Sequence, residues 1–417
     1  HDYGIDGVAV QRFGSVTING VEERFKNSVD ILKNVKASAE KHNELFYVMY
    51  DISGLSEENL VEDLKADWQQ GILNDLDITS SPSYAKDNGR PVVCLWGLGI
   101  REGTGEQYSE LIDWFHDKGC YVIGGVSKSW RDQIAKDEAM EKAFCKLDML
   151  SPWSVGSAKT DSDVDSDASI LAADKAYLDE KGIAYQPVMF PGFSWSNWKD
   201  NAVRNQIPRR AGDFMWRQAY NIAKQDIHCG YIAMFDEYDE GTAILKLAED
   251  SSMIPKDQYF ITASADGSYT SSDLYMRLAG YIPKVLRGEE KITEEMPLLL
   301  SEGPVYFRSG FEKYFDAQPV DGNGELVKDE LTYNGRYALK LNRVGGGGEM
   351  LTKLSELDFS AEKINIGISA YLAGGSAELS VGLETADGDV LYSDLSFANG
   401  KWTYNTLTDI SVAGKNI

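Results

Sequence analysis

At 417 residues the chain exceeds the size at which a single hydrophobic core keeps growing, so at least two domains are expected. A hydrophobic content of 43% and an aromatic content of 11% are those of a globular protein and exclude general disorder. The 41 Lys and Arg against 66 Asp and Glu leave a formal charge of −25, which repels phosphate backbones and anionic membrane surfaces and favours neutral or cationic ligands.

The first 300 residues repeat one rhythm: a short apolar run, a polar or glycine-bearing tip, then a longer amphipathic or polar stretch. The runs are GVAVQRF (7–13), LFYVMYDIS (45–53), PVVCLWGLG (91–99), YVIGGVS (121–127), LDMLSPW (147–153), YQPVMFPGF (185–193) and GYIAMFDE (230–237). Between them, helices are expected over 22–41, 57–71, 105–118, 136–146, 168–181 and 212–226. Strands that are continuously apolar rather than alternating belong to a parallel sheet covered on both faces. This many βα units, with no GxGxxG after the first strand, fit a (β/α)8 TIM barrel over 1–300 better than a doubly wound sheet. In a barrel the strand tips meet at one rim, which would gather Arg12, Asp51, Trp96, Trp153, Phe193 and Trp195.

After residue 300 the texture changes to short alternating strands broken by Gly, Asn and Asp turns, such as GGGG at 345–348 and DGD at 387–389. An all-β sandwich over 301–417 is expected, either as an accessory carbohydrate-binding-like domain or as packing.

The densest chemistry lies in MFDEYDEGTAI (234–244), which sets Asp236, Glu237, Asp239 and Glu240 directly after an apolar run. In a strand Glu237 and Glu240 would point apart, whereas one helical turn brings them to one side, so the chain must leave the strand near Glu237. Gly241 supplies a permissive backbone, and TAILKLAED (242–250) reads as an amphipathic helix. Two carboxylates over one pocket push their pKa values apart, which equips them as general acid and general base. Capping of the following helix and a calcium site are the other readings of the same cluster. FPGFSWSNW (190–198) adds Phe193, Trp195 and Trp198, whose flat faces suit sugar rings, and IPRRAG (207–212) adds Arg209 and Arg210 as donors to ring hydroxyls or as surface ion-pair partners.

Cys94, Cys120, Cys145 and Cys229 show no metal-like spacing, and His1, His42, His116 and His228 form no HExxH cluster, so no metal or cofactor is expected. No apolar stretch approaches the roughly 18 residues of a membrane span. The expected partner is a carbohydrate, with no nucleic acid and no membrane span.

The order of DYGIDGVAVQRF, GGVSKSW, SPW, FPGFSWSNW, IPRRAGDFMWRQ, FDEYDEGTAI and SSDLYMRLAGYIPKVLRG resembles bacterial proteins grouped as glycoside hydrolase family 71/99-like, over about residues 2–290. Family 99 contains endo-acting α-mannosidases whose glutamate pair lies in an E-W-H-E-G-T pattern, and this chain reads Glu237-Tyr238-Asp239-Glu240-Gly241-Thr242. The resemblance implies that Glu240 is the general acid/base of a retaining hydrolase. It implies that Glu237 is the base assisting the substrate's 2-hydroxyl. The Tyr-Asp replacement between the two glutamates leaves the sugar open, with an α-mannoside first and an α-glucan as the alternative, and places Asp236, Tyr238 and Asp239 among the substrate contacts. A non-catalytic glycan-binding protein on the same scaffold is the second function in play.

The resemblance also implies an upstream first strand, so that the seven runs are strands two to eight and the barrel wall has a gap. Residues 259–263 (YFITA) closing the ring is the alternative. One or two further sandwich strands are likewise expected after WTYNTLTDI, so a piece clipped at both ends and an extracellular or periplasmic setting are expected.

Overall fold

The computed structural model describes residues 2–14, 22–199, 201–250, 253–255, 258–266 and 270–300, together with strand segments between 321 and 412. They fall into two compact units, one of residues 1–191, 215–234 and 276–296, the other of 192–214, 235–275 and 297–417.

The first unit is α/β with a parallel sheet. Its strands are β1 (Gly7–Phe13), β2 (Leu45–Asp51), β3 (Lys86–Asp87), β4 (Arg90–Leu98), β5 (Tyr121–Ser127), β6 (Met149–Trp153) and β7 (Ala184–Tyr185). They run β1-β2-β4-β5-β6-β7, each pair parallel, with β3 hairpinned onto β4. The order advances without the reversal that a doubly wound sheet makes at its switch point. A separate parallel pair joins β8 (Val188–Met189) to β9 (Tyr231–Ile232). The run expected over 185–193 is split because Pro187 has no N–H to give, and its carbonyl instead accepts from Tyr231 N–H at 3.0 Å.

Helices α1 (Glu22–His42), α2 (Leu60–Ala66), α3 (Gly105–Asp117), α4 (Trp130–Ile134), α5 (Glu138–Phe144), α6 (Asp161–Lys181), α7 (Asp213–Ala223) and α8 (Leu274–Leu286) complete the alternation. α2 runs on as a π-helical stretch over Asp67–Asp75. α6 starts seven residues before the expected 168 because Thr160 and Asp163 form a capping box, and it ends at Gly182 with φ 70°.

Strand parity sorts the core into two. Phe46, Val48, Val93, Leu95, Val122, Val126 and Leu150 pack with helical residues such as Leu64, Trp68, Phe115 and Phe144. Met49, Val92, Cys94 and Ile123 face the other way and pack with Ala9, Tyr47, Trp96, Tyr121, Met149 and, from β9, Tyr231. Residues from both ends of the strand series therefore share this second core, which is how a sheet that curls on itself is filled.

Among the described residues β1 pairs only with β2. A cavity of about 380 Å³ lies along β1 and α1, lined by Val10, Gln11, Arg12, Phe13, Asn27 and Ile31, among others. Residues 259–263 form no strand; Ala263 N–H donates to Ala248 O at 2.8 Å and Ser264 N–H to Glu249 O at 3.2 Å.

Of the sandwich expected over 301–417, the described residues give four antiparallel pairs: β10 (Asp321–Gly322) with β13 (Met350–Leu351), β11 (Gly324–Val327) with β12 (Ala338–Leu341), β14 (Lys363–Tyr371) with β17 (Trp402–Ser411), and β15 (Leu379–Glu384) with β16 (Val390–Leu395). Packing of two sheets lies outside the described residues. Among the described residues no helix is long and apolar enough to cross a membrane.

Candidate active site

The chain leaves the strand direction soon after β9, and residues 238–241 make one tight turn closed by Gly241 N–H on Tyr238 O at 3.1 Å. Gly241 has φ 66°, the left-handed conformation that favours glycine. The N–H groups of Thr242 and Ala243 return to Glu237 O at 3.2 and 3.1 Å. Glu237 and Glu240 are half-buried at the two ends of this turn, while Asp236 and Asp239 are exposed.

The helix expected over 242–250 does not form. Ile244 and Leu245 N–H both go to Phe235 O, Leu247 N–H goes to Ser272 O, and the carbonyls of Ala248 and Glu249 serve Ala263 and Ser264. The backbone groups that an α-helix would use are taken by distant partners, so tertiary pairing overrides the local pattern.

Burial, then the charges of Glu240, Asp236 and Asp239, push the Glu237 carboxyl up to about 7. Burial also raises Glu240, but the Lys199 ammonium pulls it back down while Asp239 adds to the rise. Glu237 is thus raised by burial and by three carboxylates, whereas the rise of Glu240 is opposed by a cation. This has a consequence for stability. An unfolded glutamate titrates near ~4.3, so between there and about 7 the folded chain holds more protons than the unfolded one, and stability falls as pH rises through that window. Glu237→Gln removes the penalty. After discounting for solvent screening, urea melts should show the variant more stable than wild type by about 1–2 kcal/mol at about pH 8, with the advantage gone by about pH 4.

The aromatic loop is fastened to the acidic turn. Ser194 N–H donates to Glu240 O at 2.8 Å, and the Asn197 side-chain amide donates to Asp239 Oδ1 at 2.9 Å. Phe193 is buried, bridged to Ile207, with its ring edge-on to half-buried Trp195 at 5.0 Å. One face of Trp195 carries the Lys199 Nζ, 3.8 Å from the ring centroid. Trp198 is 62% exposed and is the bare indole of the loop. Tyr238 is half-buried, and its hydroxyl donates to Lys246 O at 3.1 Å.

Arg209 and Arg210 differ from expectation. Arg209 is 2% exposed, lies 4.5 Å from the centroid of the Tyr275 ring, and donates through Nη2 to Gly241 O at 2.8 Å and Ala243 O at 2.7 Å. It braces the turn from below instead of presenting donors to a sugar. Arg210 gives its backbone N–H to buried Asp266 and sets its guanidinium over Phe214. Asp266 also accepts from Asn205 at 2.6 Å.

The remaining expected site residues belong to the first unit. Trp96 and Trp153 lie on the strand face that points away from the helices and meet edge to face at 5.2 Å. Gly125 on the strand between them makes room, since a Cβ there would stand 2.6 Å from Trp96 Cδ1. Asp51 shares that face and accepts from Gln11 Nε2 at 3.0 Å and Ser53 N–H at 2.8 Å. Arg12 does not share it. One residue out of phase, it turns to the helix side, 3% exposed, and clamps Asp67 through Nε and Nη2 at 2.7 and 2.6 Å, with Tyr50 hydroxyl on the same carboxylate.

Sequence reasoning misses Lys199 and Asn197. The one available signal was Lys199, a cation following directly on FSWSNW. Among the described residues no group of three or more His, Cys, Asp or Glu is placed to hold a metal ion.

No family model and no curated protein matches the sequence. Solved structures do match. A glycoside hydrolase family 99 endo-α-mannosidase from Bacteroides thetaiotaomicron aligns at TM-score 0.49 and 12% identity over 68% of this chain and 80% of that one, and a second structure of it at 0.49 and 13% over 68% and 76%. A modular endo-β-1,4-mannanase from Cellulomonas fimi, of glycoside hydrolase family 26, aligns at TM-score 0.40 and 11% identity over 99% of this chain and 86% of that one. Likenesses at these scores and identities assign neither a substrate nor a role to any residue.

Proposed function

We propose that this chain is a retaining glycoside hydrolase of α-linked glycans, built on a (β/α)8-type barrel and using Glu237 and Glu240 as its carboxyl pair. The observation that carries the reading is the tight turn that holds two half-buried glutamates three residues apart, where burial raises both carboxyls and pushes Glu237 up to about 7. A solvated acidic run would leave both in the ordinary range. Hydrolysis of a glycoside needs one carboxyl to give a proton to the leaving oxygen and one to accept a proton, and two half-buried carboxyls raised by different causes suit that division. The motif resemblance assigns delivery to Glu240 and acceptance from the sugar's 2-hydroxyl to Glu237, the reverse of the order in which burial and neighbouring charge raise the two carboxyls in the free protein, so substrate must reverse that order. It also makes α-mannosides the first substrates to test, and an extracellular or periplasmic setting fits a polymer substrate.

A second reading, glycan binding without turnover, is favoured by Trp198, whose indole is 62% exposed beside the acidic turn. Incubation with α-mannan, α-glucan and xylan, with analysis of released reducing ends, separates the two. The expected result is oligosaccharide release from an α-linked polymer, lost in Glu240→Gln. Retention of a polymer on the protein with no release from any of the three would sink the hydrolase and leave the binder.

A further inference from the structure

Each of residues 238–241 in the acidic turn is fastened by a neighbour. Gly241 N–H closes on Tyr238 O at 3.1 Å, the Tyr238 hydroxyl donates to Lys246 O at 3.1 Å, and the Asn197 amide donates to Asp239 Oδ1 at 2.9 Å. Ser194 N–H donates to Glu240 O at 2.8 Å, and Arg209 Nη2 donates to Gly241 O at 2.8 Å. The Glu240 carboxyl, by contrast, makes no hydrogen bond among the described residues. Its direction is set by its own rotamer and by the backbone beneath it, so the ties on residues 239–241 decide where that carboxyl points.

Two of these ties come from one short loop. Ser194 and Asn197 reach adjacent residues of the turn, and the loop between them and Lys199 is folded back on itself, with the Trp198 and Lys199 N–H groups on Trp195 O at 3.0 and 2.8 Å. Ser194 and Arg209 are buried, whereas Asn197 is half-buried and Asp239 exposed. The Asn197 bond is thus a tie that is altered without opening the core. An amide also suits this position: the facing carboxylate needs a donor, and an acid at 197 would set two like charges against each other.

We propose that Asn197 is a positioning residue for Glu240: by holding Asp239 it fixes the 239–240 peptide, and through it the direction of the Glu240 carboxyl. This rests on the hydrolase reading of Glu240. Asn197 acts through Asp239 and takes no part in the proton transfer. Small movements matter here, since a displacement of about 1 Å at a reacting group costs about 10²-fold in rate.

The test exchanges the partners. Asn197→Leu removes the donor without adding charge, and Asn197→Asp replaces it with a like charge. Asn197→Asp together with Asp239→Asn restores an amide–carboxylate bond in the opposite sense, at the net charge of the wild type. Asp239→Asn alone keeps an acceptor facing Asn197 and changes only the charge. The readouts are steady-state kcat and KM on the polymer that the wild type degrades, hydrogen exchange of the Ser194 N–H, and the Glu240 carboxyl-carbon resonance, assigned with Glu240→Gln. Asn197→Leu and Asn197→Asp should lower kcat by about 10–100-fold with KM held within about threefold, and should speed Ser194 exchange by about tenfold, while the urea midpoint stays near that of the wild type. The Glu240 resonance should move in Asn197→Leu, and the exchanged pair should bring back most of every loss. A residue that merely held the loop would alter Ser194 exchange and leave kcat and the Glu240 resonance in place, and that result overturns the proposal. So does wild-type exchange in Asn197→Leu, or an exchanged pair no better than Asn197→Asp alone. Exchange and resonance need no substrate, so a protein that degrades no polymer yet follows both patterns removes the hydrolase reading alone.

Discussion

Glu240→Gln should lower turnover of the natural glycan by about 10²–10⁴-fold while sparing aryl glycosides with good leaving groups, because such groups depart without protonation. Glu237→Gln should depress both substrates, since the proton it accepts must be removed whatever leaves. Asp236→Asn and Asp239→Asn should cost far less, as both side chains are exposed and act on the pair only through their charge. Steady-state rates on polymer and on a nitrophenyl glycoside give the comparison. If Asp239→Asn were as damaging as Glu240→Gln on every substrate, the division of roles along the turn would be wrong. Participation of a 2-hydroxyl also requires space, so a ligand-bound crystal structure should hold the two carboxyls about 6.5–9.5 Å apart, beyond the ~5–5.5 Å of direct double displacement.

The largest loss of stability should come from Arg209→Met, at about 3–5 kcal/mol in urea denaturation. Burial already pulls the Arg209 guanidinium below its ordinary range, and the charge persists among Asp266, Tyr275 and two backbone carbonyls. Removing it strips Gly241 O and Ala243 O of the Nη2 donor and leaves buried Asp266 with one cationic neighbour, Arg210, in place of two. Asp266→Asn on that background should recover part of the loss, since a neutral amide tolerates burial better than a carboxylate. A loss below about 1 kcal/mol would mean that the turn stands without its brace.

The alternation of strand and helix was legible because apolar runs of strand length, spaced by amphipathic stretches, admit few other arrangements. Which side of a strand a residue would face was not. Val8, Val10 and Ala9 are all apolar because both faces of the sheet are covered, so nothing in β1 reveals that Gln11 turns one way and Arg12 the other. Asp67, the partner that claims Arg12, lies 55 residues away at the start of a π-helical stretch and has no marker in the sequence. The acidic turn was legible as a departure from a strand, from Gly241 and the spacing of the glutamates. The segment after it was not, because Ala243, Ile244 and Leu247 are buried as a helix face would be, yet their backbone N–H groups answer to Glu237, Phe235 and Ser272 respectively. Periodicity records which side chains are buried, and here two backbone conformations bury the same set.

The two residues between the glutamates are each tied outward, Tyr238 through its hydroxyl to Lys246 O and Asp239 to the Asn197 amide. Positions 238 and 239 are thus natural sites for a combinatorial library aimed at new sugar preferences, since neither side chain is seen hydrogen-bonded to Glu237 or Glu240, although a change at 239 also alters the charge that raises both. Such a library should randomise position 197 in the same round. Any replacement at 239 that cannot accept a hydrogen bond removes one of the two ties between the aromatic loop and the turn, and screening 239 alone would discard good residues for the fault of an unmatched neighbour.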